Sequence, residues 1–303
     1  EQRRAPPSQQ QLLLGMSSEI YTVCGAVTTN DNVNLFYTKL AHVDPNARRP
    51  PLVFIHGWSG SHRYFDLNLK PLAALGFEVY AFDLRFHGAS DKPAWGFHVA
   101  RLAADLRDFL TELSIERATL IGTSLGAAII WSYIELFGEG SISKVVFVDQ
   151  APSQWLMPDW NLGSKGIFDA SSLANIQRAV EDLESFADGN AECCLSKPLS
   201  EKMMATLKVE TLRCQPLHLA KLMADHAPID WRPTLAKIRV PCLNIYGSDS
   251  GCFPPGGCAH VGECIPGARN LELEGCNHWL YLEEPERFNT SVAGFVCPEL
   301  ETL

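Results

Sequence analysis

The amino-acid sequence predicts an α/β protein: a doubly wound, mostly parallel eight-stranded sheet with helices on both faces and a helical cap inserted late in the chain. Three observations predict it. Short apolar runs of Val, Ile, Leu and Phe alternate with longer stretches of helical period, which is the rhythm of strand–helix repeats. Those runs lack the strict apolar–polar alternation of a half-exposed strand, so they suit strands covered on both faces. One interval, 152–235, abandons the rhythm and reads as helical, with no convincing strand.

Taken in order, residues 1–18 include "EQRRAPPSQQQLLLG", rich in Pro, Gln and Arg, and are expected to be a flexible lead-in outside the fold. Segments 19–27 and 33–40 are expected to pair as an antiparallel hairpin at one sheet edge. "PLVFIHG" (51–57), "FEVYAFDL" (77–84), "RATLIG" (117–122), "SKVVFVD" (143–149), "VPCLNIYG" (240–247) and "NLELEG" (270–275) supply six further strands. Between them, Val99, Leu102, Leu106 and Leu110 recur at helical spacing over 98–113, and residues 125–137 form another helix. Pro285 suits the first turn of a last helix, where its missing N–H costs little, and Phe288, Val292 and Phe295 continue the apolar stripe. Within 152–235, Leu173, Ile176, Val180 and Leu183 are expected on one face, and Met203, Met204 and Leu207 on another. The predicted organisation is therefore a core of 19–151 and 236–303 with a cap of 152–235 over the carboxyl ends of the strands, where ligands bind in such sheets.

The 303 residues are 46% hydrophobic and 20% charged, with a formal net charge of −10. That balance argues against nucleic acid or an anionic membrane as partner and points to a small-molecule substrate. No apolar run reaches the length of a membrane span. Beyond Leu12–Leu14 there is no signal-like apolar segment, which favours a cytoplasmic location. Neither a phosphate-cradling loop nor a dinucleotide fingerprint occurs, so no cofactor is expected. Among ten cysteines, Cys252, Cys258, Cys264 and Cys276 crowd one region and Cys193 and Cys194 are adjacent. Free thiols are favoured over disulfides, since a chain this long needs no covalent framework, and no zinc-like spacing is present.

Chemistry enters at Gly122-Thr-Ser-Leu-Gly126. A serine between glycines, after a strand and before a helix, is forced into an unfavourable turn whose neighbours must be small; the turn lifts its Oγ above a helix N-terminus. The plainer alternative is a helix-capping serine. Around this motif the chain resembles the α/β-hydrolase superfamily over residues 20 to 298. "FIHGWSGS" (54–61) looks like its His-Gly turn after the third strand, "DLRFHGAS" (83–90) like its D-x-R-G-x-G-x-S loop, and "GCNHWLYLEEPERF" (275–288) like its histidine segment. The similarity is greatest to the esterase and cofactor-free haloperoxidase-like branch.

The resemblance implies a serine hydrolase working through an acyl-enzyme. Ser124 would be the nucleophile and His278 its base, with an oxyanion hole from the backbone N–H groups of Trp58 and Leu125. For the acid, the family position after the seventh strand holds Ser250, with Asp249 one residue early. Asp149, at the end of the sixth strand, is the favoured carboxylate and Asp249 the alternative; either could instead be a turn-forming Asp. His56 and Gly57 of the turn, with Trp155, Met157 and Trp279, are candidate pocket residues for an apolar or aromatic acyl group. His218 and His226 are expected at the surface or along the pocket. Phe86 stands where the family loop has glycine; a bulky residue is not expected to hold a positive φ there, so a differently shaped loop is expected. An ester, lactone or thioester hydrolase is the leading reading. A haloperoxidase, perhydrolase or carbon–carbon hydrolase with the same triad comes next, and a non-catalytic binding protein last.

Overall fold

A computed structural model describes residues 20–44, 46 and 48–300; the lead-in expected over 1–18 lies outside them. β1 (Ile20–Thr28) and β2 (Asn34–His42) form the expected hairpin, closed by the Thr29 N–H donating to Val33 O at 2.9 Å. The remaining strands are β3 (Arg49–Ile55), β4 (Phe77–Phe82), β5 (Ala118–Thr123), β6 (Ile142–Val148), β7 (Cys242–Gly247) and β8 (Arg269–Leu273). They make one eight-stranded sheet in the order β1-β2-β4-β3-β5-β6-β7-β8, parallel from β4 to β8 and antiparallel only where β1 and β2 join. Every residue of β5 and β7 is buried, the pattern of strands with helices on both faces.

Alternate residues serve opposite faces. Val53 and Ile55 of β3 point into one apolar layer with Leu102, Leu106 and Phe109 of α2 (Val99–Glu112) and Ile130 and Trp131 of α3 (Leu125–Phe137). Leu52 and Phe54 point into the other, with Leu69 and Leu72 of α1 (Leu69–Ala74) and Phe288 and Val292 of α11 (Pro285–Val296). The period of two along the strand thus feeds two separate cores.

The strand order reverses at β3. The chain passes from β3 to β4 on one side and then back across to β5 on the other, which leaves a crevice beyond the carboxyl ends of β3 and β5. Two tight turns meet there. A methyl group added to Gly57 would lie 3.1 Å from Ser124 Cβ, so the turn after β3 meets the turn after β5 with little room to spare at residue 57.

Between β6 and β7 the chain makes a helical excursion: α4 (Ala170–Ala179), α5 (Leu183–Cys194), α6 (Glu201–Leu212), α7 (Pro216–His226) and the short α8 (Arg232–Leu235). Its ends are built by local chemistry. Asp169 and Ser172 form a reciprocal capping box, Asp182 accepts from Ser185 N, Ser200 accepts from Met203 N, and Pro216 occupies the first turn of α7. The stripe Leu173, Ile176, Val180 and Leu183 does not run along one helix. The chain breaks at Val180, and Asp182 starts α5, because a capping carboxylate satisfies orphan N–H groups that a continuous helix would not expose. A further helix unmarked by the sequence pattern, α9 (Pro255–Cys264), and the short α10 (Leu280–Glu283) complete the fold.

Phe86 overturns the expectation about its loop. It holds φ at 75° and is fully buried. Its ring stacks on Phe97 at 4.7 Å and meets His218 edge-on at 5.1 Å. Burying a phenyl ring contributes about 1.5–3 kcal/mol and aromatic pairing about 0.5–1.5 more, which offsets the roughly 1–3 kcal/mol of an unfavourable φ. The loop is also clamped from beside it, Arg85 making a bidentate pair with the fully buried Asp105.

Candidate active site

Ser124 has φ 53° and ψ −122°, outside the ordinary range for a residue with a Cβ. Its N–H donates to Val148 O across the sheet at 2.9 Å, which pins the turn to β6. The surrounding glycines are sterically required: a Cβ on Gly122 would sit 2.5 Å from the Gly126 backbone, and one on Gly126 would sit 2.2 Å from Ile55 O. Strand and helix therefore cross at near contact, and the hydroxyl stands at the N-terminus of α3. No capping bond from that side chain to the helix backbone is formed.

Asp149 ends β6 in an equally strained conformation, φ 46°, and is fully buried. Three donors converge on its carboxylate. Gly247 N–H reaches Oδ1 at 3.0 Å, the Ser250 hydroxyl reaches Oδ2 at 2.6 Å, and His278 Nδ1 lies 2.5 Å from the same Oδ2. Ser250, at the position where an acid was sought, thus donates to the carboxylate of the neighbouring strand. Asp249 is exposed and turned away, accepting only from Ser248 Oγ at 3.0 Å. Burial works against a charged His278, but the adjoining Cys252 sulfur and Asp149 carboxylate outweigh it and hold the imidazole pKa above its ordinary value.

The histidine segment is itself braced. Asn277 Oδ1 accepts from Gly251 N at 2.6 Å and His278 N at 2.7 Å, and Glu283 accepts from Asn277 N at 2.6 Å and Ser196 N at 2.6 Å. A Cβ on Gly247 would lie 2.2 Å from Cys276 O, so the end of β7 and the histidine segment touch backbone to backbone.

The turn after β3 is held from below by two buried histidines. His56 Nδ1 donates to Gly57 O at 2.7 Å while its Nε2 accepts from Leu84 N at 3.0 Å. His87 Nδ1 donates to Arg85 O at 2.9 Å while its Nε2 accepts from Ser59 N at 3.2 Å. Burial pushes both below the usual histidine range, to about 4 and about 3, so both are neutral hinges between loops. From above, three helices of the excursion grip the same turn. The Trp58 indole donates to Leu219 O of α7 at 3.0 Å, Thr211 of α6 donates to Ser59 O at 3.2 Å, and Asn190 of α5 donates to Ser59 Oγ at 3.4 Å. The Trp58 N–H has no backbone acceptor among the described residues, and Leu125 N–H belongs to the unpaired first turn of α3.

A cleft of about 840 Å³, measured out to its mouth, lies between the sheet edge and the excursion. Ser124, His278, Gly57, Trp58 and Trp279 line it, together with Gln154, Ile167, Phe186, Asn190, Met223 and three cysteines. His56, Trp155 and Met157 do not. His56 is fully buried behind the turn it supports, Trp155 packs against Ile167, Met223 and Ala227, and Met157 packs in a separate cluster with Trp160 and Phe253. His218 and His226 are neither at the surface nor in the cleft; both are buried in α7. Sequence reasoning passed over Gln154, Asn190 and Phe186 altogether. Gln154 comes from the loop after β6, whereas Phe186 and Asn190 lie one turn apart on α5; that i, i+4 spacing was the one local signal that could have paired them.

All ten cysteines are free thiols, and among the described residues no cluster has the makings of a metal site. No helix among those residues is long and apolar enough to cross a membrane.

Comparison with known proteins agrees with this architecture. The family description "alpha/beta hydrolase fold" matches residues 50–285. The chain is 26% identical over 274 residues to the AB hydrolase superfamily protein YisY of Bacillus subtilis, covering 89% of this chain and 97% of that one. It is 27% identical over 280 residues to a non-heme chloroperoxidase of Streptomyces lividans, covering 90% and 99%. Among solved structures, an esterase of Exiguobacterium antarcticum superposes with a TM-score of 0.84 at 22% identity, covering 90% of this chain and 99% of that one.

Proposed function

The chain belongs to the alpha/beta hydrolase fold family and is a hydrolase, and on that premise we propose that it cleaves small apolar or aromatic carboxylic esters through an acyl-enzyme. The observation that carries this reading is the convergence on one cleft of a strained serine and an imidazole hydrogen-bonded at 2.5 Å to a buried carboxylate.

In this reading Ser124 Oγ attacks the ester carbonyl while His278 Nε2 takes its proton. Asp149 fixes the imidazole with Nδ1 as the donor and stabilises the imidazolium that forms. The charge that builds on the carbonyl oxygen is met by the N–H groups of Leu125 and Trp58, each worth about 3–4 kcal/mol in the transition state. His278 then returns its proton to the leaving alkoxide, and water repeats the sequence to release the acid. Residues 152–235 act as the cap, with 19–151 and 236–303 as the core, and the cap's apolar lining receives the acyl or alcohol group. Ile167, Ile176, Phe186 and Met223 favour an apolar one.

A second reading, in which peroxide replaces water at the acyl-enzyme, is favoured by one observation, the chloroperoxidase name carried by the relative covered over 99% of its length. It needs the same groups and differs only in the acceptor.

The test is labelling with a fluorophosphonate probe followed by a panel of p-nitrophenyl esters and lactones, with and without peroxide. Labelling confined to Ser124, with hydrolysis of short or aromatic esters, supports the proposal. An unlabelled Ser124 in folded protein refutes it.

A further inference from the structure

Three cysteines that play no part in the hydrolytic mechanism meet in the cleft. Cys193 and Cys194 end α5, and Cys252 lies in the loop after β7. Cys194 Sγ and Cys252 Sγ are 3.7 Å apart, although 58 residues separate them in the chain. The two segments are docked backbone to backbone. A Cβ on Gly251 would lie 2.0 Å from Cys193 O, and Trp279 N donates to Cys194 O at 3.0 Å. Cys252 O is held in turn by Lys165 N at 2.9 Å. The thiols are therefore brought together by fixed backbone, and closing the pair needs a shift of about 1.7 Å between sulfurs whose bond length is about 2.0 Å. Both face a cleft that solutes can enter, and Cys252 is only partly buried.

We propose that Cys252 and Cys194 are a hydroperoxide-reactive thiol pair that closes into a disulfide across the cleft and lowers hydrolysis until it is reduced. The modification does not depend on the proposed hydrolytic mechanism, but the loss of turnover rests on it. Donation from Cys193 and Cys194, with His278 alongside, holds Cys252 well below the usual thiol range, so it is the thiolate that reacts first.

The Cys252 thiolate attacks the terminal oxygen of a hydroperoxide. A sulfur–oxygen bond forms, the oxygen–oxygen bond breaks, and the departing alkoxide takes a proton from the His278 imidazolium to leave as alcohol. Cys194 sulfur then attacks the sulfenic sulfur. The disulfide forms, the sulfur–oxygen bond breaks, and hydroxide leaves as water with the proton Cys194 gives up. Two thiols and one hydroperoxide become one disulfide, one alcohol and one water. The bond ties the end of α5 to the loop beside His278, fixing the mouth of the cleft.

The experiment treats reduced full-length protein with hydrogen peroxide or cumene hydroperoxide, digests it without reductant and maps linked peptides by mass spectrometry. The expected result is a Cys194–Cys252 linkage that forms before exposed Cys24 is modified and is undone by dithiothreitol. Ester turnover should fall about tenfold in parallel and recover, a loss in keeping with small displacements around reacting groups. Cys252→Ser or Cys252→Ala should abolish both linkage and loss. Cys194→Ser should leave a sulfenic acid at Cys252 that dimedone traps. The proposal is overturned if the only linkages involve Cys193, if no linkage forms while Cys24 oxidises, or if Cys252→Ser loses activity to peroxide as the parent does. Linkage mapping needs no turnover, so absence of esterase activity, checked separately by fluorophosphonate labelling of Ser124, leaves the thiol result readable.

Discussion

The carboxyl edge of the sheet and the helical excursion above it are built on opposite principles. At the edge, geometry is dictated by backbone: Ser59, Phe86, Ser124 and Asp149 all hold positive φ, and glycines 122, 126 and 247 are required by contacts too close for a Cβ. Such strain survives only where a rigid surround over-determines it, and here two apolar layers on either side of a buried sheet supply that surround. The excursion has little strain of this kind. Its helices of 4 to 12 residues are started by capping side chains in α4, α5 and α6 and by prolines in α7 and α8, and hydrogen bonds from Trp58, Thr211 and Asn190 are among those that join it to the edge. Buried polar atoms without a hydrogen-bond partner among the described residues occur in both regions, Thr119 Oγ1, Thr123 Oγ1 and Asn244 Oδ1 in the sheet and Trp155 Nε1, His218 Nδ1 and His226 Nδ1 in the excursion. The edge is shaped by close backbone contact, and most of the excursion by local caps and side-chain contacts.

Substitutions should separate the two regions. Ser124→Ala should reduce kcat by about a million-fold, towards the background left by binding and oxyanion contacts. Its melting temperature should hardly change, because alanine meets the same φ; retained turnover in a kinetic assay would dismiss the serine as nucleophile. Asp149→Asn should lose about ten thousand-fold in kcat, since an amide cannot select the working tautomer. Asp249→Asn should stay within about twofold, as exposed positions do. Similar losses in the two would erase the distinction between the β6 and β7 carboxylates.

Ser250→Ala removes a hydroxyl that donates to a charged group, so kcat should fall about ten- to a hundredfold with KM little altered. In the excursion, Leu219→Ala should behave in the reverse sense. It should cost about 2–5 kcal/mol in chemical denaturation, from a fully buried leucine, and move KM more than kcat, because its carbonyl still receives the Trp58 indole.

The smallest effect concerns pH. A general base works when neutral, and His278 is held above its ordinary value of 6.5 by the groups around it. The acid limb of kcat/KM should therefore still be rising above pH 6.5, and Cys252→Ser should move it to lower pH. A limb that stays in place would separate the thiol from the imidazole.

The two regions also differed in how far the sequence disclosed them. The strands were legible because burial on both faces leaves continuous apolar runs, and the glycine spacing around Ser124 and at His56-Gly57 marked two turns whose backbone demands are severe. Asp149 could be weighed against Asp249 since both end strands, but only the third dimension shows Ser250 reaching across from β7. In the excursion the apolar stripe from Leu173 to Leu183 concealed a break, because a buried valine and a capping aspartate do not interrupt helical periodicity. Phe186 and Asn190 stand one turn apart on α5, but one is apolar and the other polar, and Gln154 lies in a loop, so no stripe of one residue type marks the lining. Phe86 misled for a different reason: its φ preference is local, whereas the aromatic stack that overrides it joins residues from two loops and α7.

Because the carboxylate beside His278 is rooted at the end of a central strand, the segment 250–254 is released from supplying negative charge; it gives the site the Ser250 hydroxyl and the Gly251 N–H that braces Asn277. Position 252 can be varied on its own: a library there that keeps Ser250 and the close-packed Gly251 would alter the entrance without moving the carboxylate. An enzyme whose acid sat on that loop would lack this freedom, since every change to the entrance would also move the charge.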